Sequence, residues 1–206
     1  MNTESSPGRD PLRWEQRYLE KDVPWDSGQP DSHLLAVTES YGLNSGKALD
    51  IGCGTGTNAI WLEGAGFDVL GLDLSSTAIE QARAKAVAAG ASCRFLTTDF
   101  LAEEVPGGPF DLVYDRGCFH VFDEPERSRF VARVAQLLAP NGVWHSLLGS
   151  TDGPPRDTGP PRRSLAEIAA AVEPYFEMLE MTATTFDNDR ISFARAWIMV
   201  ARKRGS

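Results

Sequence analysis

The sequence predicts an α/β protein built on one doubly wound, mainly parallel sheet of seven strands that ends in an antiparallel C-terminal hairpin. Three observations carry this prediction. Short apolar runs alternate with helical stretches from residue 48 to 148, a glycine turn follows the first run, and only a short turn separates the last two runs. Parallel neighbours need a crossover of a dozen or more residues, usually a helix, whereas a short turn joins antiparallel strands. The 206 residues suit one such domain. A domain of that size buries about 70% of its unfolded surface and needs no metal or disulfide to fold.

The elements follow in order. Residues 1–11 are polar, with Ser5-Ser6-Pro7-Gly8, and are expected to be disordered. Residues 12–44 are expected to form an N-terminal helical lid. Leu12, Trp14, Tyr18 and Leu19 suit one helical face, and the turn Gly28-Gln29-Pro30 ends that segment. Asp31 or Ser32 can then cap a second helix to about residue 41. The main domain is read as 45–206. Its strands are expected at 48–51, 69–72, 93–96, 111–114 and 143–148. Helices are expected at 58–66, from Ser75 or Ser76 to 89, and at 126–138. Gly90 suits the end of the second, and Phe130, Val134, Leu137 and Leu138 form the buried stripe of the third. Pro140-Asn141-Gly142 reads as a turn into the fifth strand. A helix at 165–172 precedes the closing strands, about 176–184 and 192–201, joined by Asp187-Asn188-Asp189. Residues 151–163 are rich in Pro and Gly and follow a strand's C-terminal end, where open α/β sheets bind ligands, so they read either as a border of the site or as a mobile surface connection.

A formal net charge of −9 repels phosphate backbones, which points away from nucleic acid and toward a small-molecule partner. Cys53, Cys93 and Cys118 are odd in number and widely spaced, without ligand-pair spacing. They read as reduced thiols of a cytoplasmic protein with no metal site. No apolar run approaches the roughly 20 residues of a membrane helix, and the N-terminus lacks a secretory pattern. A monomer is expected, with a dimer left open.

The glycine turn reads Asp50-Ile51-Gly52-Cys53-Gly54-Thr55-Gly56. A dinucleotide site wants G-x-G-x-x-G with pyrophosphate at the helix N-terminus. Gly52 and Gly54 match, but Thr57 stands at the third position. Asp50 would sit poorly beside a pyrophosphate. It suits a cationic ammonium group, as on the methionine part of S-adenosylmethionine (SAM), which has no phosphate. Asp73 ends the second strand, where a carboxylate can accept from ribose hydroxyls, and Leu74 beside it joins the expected cofactor contacts. Asp99 can accept from an adenine amino group, with Phe100 as an apolar neighbour.

On these residues, 47–148 resemble a class I SAM-dependent methyltransferase, a Rossmann-like fold whose usual ending is an antiparallel hairpin. The resemblance implies Gly52 and Gly54 at the cofactor backbone, Asp73 on the ribose, and Asp99 with Phe100 at the adenine. Two further segments concern the substrate. Trp14 to Trp25 carries three large aromatics ahead of the domain, and aromatic faces attract cations such as a sulfonium. Asp115-Arg116-Gly117-Cys118-Phe119-His120 follows the fourth strand, which places it beside the transferable methyl group. Together they resemble the thiopurine methyltransferase family and its thiol, halide and tellurite-resistance relatives. That resemblance implies Trp14, Tyr18 and Trp25 as lid contacts to SAM, Asp115 at the cofactor, and Arg116 as a substrate or cofactor contact. Tyr18 stands where that family often has Trp, Asp73 where the thiopurine enzymes have Glu, and Cys118-Phe119-His120 also departs, which points away from thiopurines. By residue type, His120 is the best general base, ahead of His33 and His145. The expected acceptor is a small thiol or related soft nucleophile, or a phenol or quinol oxygen. A nucleotide-dependent oxidoreductase and a non-catalytic SAM-binding regulator remain as alternatives.

Overall fold

The computed structural model describes residues 10–154, 159–186 and 194–205. Helix α1, Pro11–Leu19, starts inside the stretch expected to be disordered. The Asp10 carboxylate accepts from the Leu12 and Arg13 N–H groups, and Pro11 takes a first-turn position where no N–H is needed. Residues 1–9 lie outside the described ones. Helix α2, Ser32–Ser40, is capped by Asp31, which accepts from His33 and Leu34.

Seven strands follow: β1 Gly46–Ile51, β2 Phe67–Asp73, β3 Arg94–Thr97, β4 Phe110–Arg116, β5 Leu138–Gly149, β6 Phe176–Thr185 and β7 Arg195–Lys203. Their order across the sheet is β3-β2-β1-β4-β5-β7-β6. All pairings out to β5 are parallel, and β7 runs antiparallel to both β5 and β6. The crossover helices are α3 Thr57–Gly64, α4 Ser76–Ala89 and α5 Glu124–Leu137, and α6 Leu165–Val172 precedes β6. The expected architecture is therefore present. The turn expected at Asp187-Asn188-Asp189 lies outside the described residues.

One local expectation fails. Pro140-Asn141-Gly142 does not precede β5 but lies within it. Leu138 already pairs with Phe110, so α5 runs straight into the strand, and the ladder slips before Leu112 pairs with Val143. Asn141 absorbs the slip at φ +64°. A Cβ on Gly142 would stand 3.0 Å from the carbonyl oxygens of Ala139 and Phe110, so the chain passes too closely there for a larger residue.

Alternate strand residues feed two cores, one on each face of the sheet. Leu49, Ile51, Phe110, Phe130, Trp144 and Phe176 pack under α5 and α6. Leu34, Ala48, Leu62, Val69, Ile79 and Leu112 pack under α2, α3 and α4. Each fully buried side chain of this kind stabilises the fold by roughly 1.5–3 kcal/mol. No described helix is long and apolar enough to cross a membrane. The strand order reverses direction between β1 and β4, and the crevice outside such a reversal is where open α/β sheets bind ligands.

Candidate active site

The glycine turn leaves β1 at that reversal. Gly52, Gly54 and Gly56 have φ of +71°, +54° and +78°, a region that L-residues with a Cβ enter at a cost of about 1–2 kcal/mol. A Cβ on Gly54 would also stand 2.8 Å from the Tyr18 hydroxyl. The turn is tied to the end of β2, where Cys53 N–H donates to the Leu72 carbonyl and Gly54 N–H donates to Asp73 Oδ2 at 2.9 Å. Beyond it opens a cavity of about 530 Å³, bounded by Gly52, Asp73, Leu74, Asp99, Phe100, Arg116 and His120 and covered by Trp14, Tyr18 and Trp25. That volume suits a small-molecule site. Asp50 and Gly54 line an adjoining recess.

Asp50 is 2% exposed, and its Oδ2 has no hydrogen-bond partner among the described residues. Burial, then the neighbouring Asp115 and Asp73, push its carboxyl up to about 8. A buried carboxylate oxygen without a partner is costly unless a cation meets it. The ammonium group of SAM is such a cation, so the donor set fits this cofactor. Asp73 accepts from Ser75 and Gly54 N–H groups, and burial raises its carboxyl also. Asp99 lines the far end, and its Oδ1 accepts from Leu101 N–H at 2.8 Å. The Phe100 ring reaches the wall but packs into the core, 4.7 Å from the Phe130 ring.

Asp115, expected at the cofactor, is not among the residues that bound the cavity. Its neighbour Arg116 takes the lid-facing side of β4, so the pleat turns Asp115 to the opposite face. There it is fully buried. Oδ1 accepts from Cys118 and Phe119 N–H groups, and Oδ2 accepts from Trp144 Nε1 at 3.0 Å. It thereby anchors the short 3-10 turn Phe119–Val121, which sets the position of His120.

The lid is held at three points. The Glu15 carboxylate accepts from Ser75 Oγ at 2.6 Å and Thr77 Oγ1 at 2.5 Å, and more weakly from Ser76 Oγ and Thr77 N–H. The Ser75 and Thr77 hydroxyls lead in lowering its carboxyl to about 2. An acid there also faces the positive end of α4. Trp25 meets Trp14 edge-on at 5.8 Å and donates from Nε1 to Tyr18 Oη. Arg116 donates from Nε to Asp31 Oδ2 at 2.6 Å and from Nη1 to the Trp25 carbonyl, with its guanidinium over Phe186 at 5.4 Å. Arg116 was expected to hold substrate or cofactor. It lines the cavity, but this pair commits part of its donor fork to fastening the lid. Neither the Arg116 pair nor the Glu15 cap was read from sequence. Their partners lie 85 and 60 residues away, beyond any local pattern.

His120 is 3% exposed at the cavity wall, and its Nδ1 accepts from Gly149 N–H at 2.7 Å. A ring nitrogen that accepts carries no proton, so the neutral ring holds its proton on Nε2. Cys118 packs against Gly52, and burial, with Asp115, Asp73 and Asp50 nearby, pushes its thiol well up. It therefore stays protonated. The other two histidines serve packing. His33 Nε2 meets the Thr185 carbonyl at 3.1 Å, and His145, pushed down to about 4 by burial, has Nδ1 on the Met199 carbonyl.

A site that offers carboxylates to a cationic amino acid and to an adenosine, at this reversal in this strand order, belongs to the class I SAM-dependent methyltransferases. Comparison with known proteins places the chain in that family. A methyltransferase-domain family model matches residues 48–142. The chain is 33% identical to a probable thiol methyltransferase 2 of Arabidopsis thaliana over 163 residues, 78% of this chain and 69% of the relative. It is 29% identical to a 2-heptyl-1-hydroxyquinolin-4(1H)-one methyltransferase of Mycobacteroides abscessus over 155 residues, 74% of this chain and 68% of that one. A solved structure from work on converting a disulfide bond into a thioacetal group during echinomycin biosynthesis superposes with a TM-score of 0.75 at 29% identity, covering 87% of this chain and 84% of the other. The chain is a SAM-dependent methyltransferase of small molecules, which removes the oxidoreductase and non-catalytic alternatives.

Proposed function

We propose that the acceptor is a small, mainly apolar thiol, methylated on sulfur. The composition of the cavity wall beyond Gly117 carries this reading: Val121, Phe122, Pro160, Pro161 and Phe186 line it. Such a wall favours an apolar body over a hydrated one by roughly 25 cal/mol per Å² buried. Similarity to a thiol methyltransferase supports a sulfur acceptor.

SAM supplies an electrophilic methyl on a cationic sulfur whose departing form is a neutral thioether, so the reaction needs no acid. The chain supplies alignment and dryness. In this reading Asp50 holds the ammonium and Asp73 the ribose, with Leu74, Asp99 and Phe100 around the adenine. Trp14, Tyr18 and Trp25 close over the cation and exclude water. The protonated Cys118 does not compete as a nucleophile. A thiol ionises near pH 8.5 and offers some thiolate at neutral pH.

A second reading, methylation of an acidic hydroxyl on a planar ring, is supported by the hydroxyquinolone methyltransferase relative. A turnover screen of thiols, halides, phenols and quinols, read as S-adenosylhomocysteine released, separates the two. Thiols are expected to lead. Turnover confined to phenols and quinols would reject the sulfur reading.

A further inference from the structure

We propose that Arg163 is a positioning residue for acceptor selectivity, a strut that sets the gap between the two halves of the apolar wall and so decides how wide an acceptor ring can enter. The proposal rests on assigning that wall to the acceptor, and it holds whichever atom is methylated.

The two halves come from distant parts of the chain. Val121 and Phe122 follow β4, whereas Gly159, Pro160 and Pro161 lie between β5 and α6. The second half is seated on the end of β5. Arg163 N–H donates to the Gly149 carbonyl at 2.8 Å, and the Arg163 carbonyl accepts from Thr151 N–H and from Trp197 Nε1. The Pro161 carbonyl lies so close to Gly149 that a Cβ there would collide with it. From this fixed base the Arg163 guanidinium crosses to the first half. Its Nη2 donates at 2.8 Å to the carbonyl of Phe122, 41 residues away. Arg127 Nη1 donates to the same carbonyl at 3.0 Å, so both of its lone pairs are engaged. The Phe122 ring is buried and meets the Phe130 ring at 5.4 Å.

Two cations at one carbonyl repel. Burial, with Arg127 next, lowers the Arg163 guanidinium below its ordinary value, while Glu167 and Asp123 work against that. Glu167 reaches Arg127 at 3.5 Å and also closes the cap of α6 with Ser164. The Nε of each arginine is buried without a partner among the described residues. Such a cluster is a poor source of stability, because every buried donor left unpaired costs free energy. What it supplies is placement. Phe122 and Pro161 both line the cavity, so a strut between their segments fixes the width of the acceptor end.

The test uses the full chain. The kcat/KM of thiophenol is compared with that of naphthalenethiol at saturating SAM, and SAM affinity is measured by calorimetry. The wild-type protein is expected to prefer the single ring by about tenfold or more. Arg163→Met, which keeps an apolar stem and removes the donors, is expected to cut that preference to about threefold or less. The change is expected as a lower KM for the wider ring, with SAM affinity kept within about twofold. Arg163→Lys, which restores a charged donor, is expected to recover part of the preference. Phe122→Leu is expected to relax it in the same way, and the double variant to add little more, because the two side chains act as one unit. Equal use of both rings by the wild-type protein would overturn the proposal. So would an unchanged ratio in Arg163→Met, a parallel loss of SAM affinity and of both thiols, or full additivity in the double variant. Absence of turnover with every thiol, with SAM binding intact, would reject the sulfur reading alone; phenol and naphthol, compared in the same way, then decide the strut by the same ratio.

Discussion

Asp50→Asn separates stability from cofactor recognition at one atom. The wild-type carboxyl lies near 8 in the fold, against about 3.9 in an unfolded chain, and each unit corresponds to about 1.4 kcal/mol. Between about pH 4 and 8 the native group keeps its proton while the unfolded one has lost it, so stability falls as pH rises through that window, by at most about 5 kcal/mol. Asn has the same shape and no charge. Its buried amide returns about 1–3 kcal/mol of that gain through an unpaired donor, so the variant is expected to be about 2–4 kcal/mol more stable at pH 8. Its stability is also expected to depend less on pH. Binding moves the other way. Losing the charge-assisted bond to the ammonium, about 1.5–3 kcal/mol, weakens SAM by roughly 10- to 150-fold. Urea unfolding at pH 5 and 8 and calorimetric titration with SAM measure both. Equal pH slopes for the two proteins, or affinities within about twofold, would refute the reasoning.

Three other substitutions probe the frame around the cavity. Asp31→Asn keeps the cap on α2 but removes the charge opposite Arg116, at 2.6 Å. A loss of about 3–5 kcal/mol in urea unfolding is expected, and a loss under about 1 kcal/mol would show that the pair contributes little. Gly54→Ala forces a Cβ toward the Tyr18 hydroxyl at positive φ. SAM affinity is expected to fall about tenfold or more, whereas Gly64→Ala, whose Cβ meets nothing within 4 Å, leaves it unchanged; equal affinities would sink the argument. Glu15→Gln is expected to loosen α1, read as faster amide exchange there. Because Glu15 is lowered to about 2, the wild-type contact is expected to persist down to about pH 4 and to be lost as acid carries it through 2. Equal exchange in the two proteins at pH 7 would show that Glu15 does not hold the lid.

The first five strands and their crossover helices were legible because each rests on local signals: apolar alternation, Ser75 as a cap, and Gly90 at a left-handed helix end. The glycine turn was legible for a related reason. Its spacing sets backbone conformation within seven residues, and a carboxylate two positions ahead carries its chemistry with it. The candidate site was readable only in part. Ten of the expected side chains and glycines border the main cavity, whereas Asp115 does not and is fully buried with Oδ2 accepting from Trp144 Nε1, because which face of β4 a residue takes depends on what packs there. Arg116 reaches the cavity, yet much of its charge is answered by Asp31.

The sequence by itself determined the fold class and the cofactor chemistry. Periodicity, capping and the spacing of Asp50, Gly52 and Gly54 are properties of neighbouring residues, and they hold before the chain closes on itself. Only the tertiary structure decided what the polar groups do once brought together. Asp50 holds its proton up to about pH 8 because β1 is buried beside two other acids. His120 Nδ1 becomes an acceptor because a strand 29 residues away presents a backbone N–H to it. A side chain's protonation is set by the partners that folding supplies, and those partners are distant in sequence.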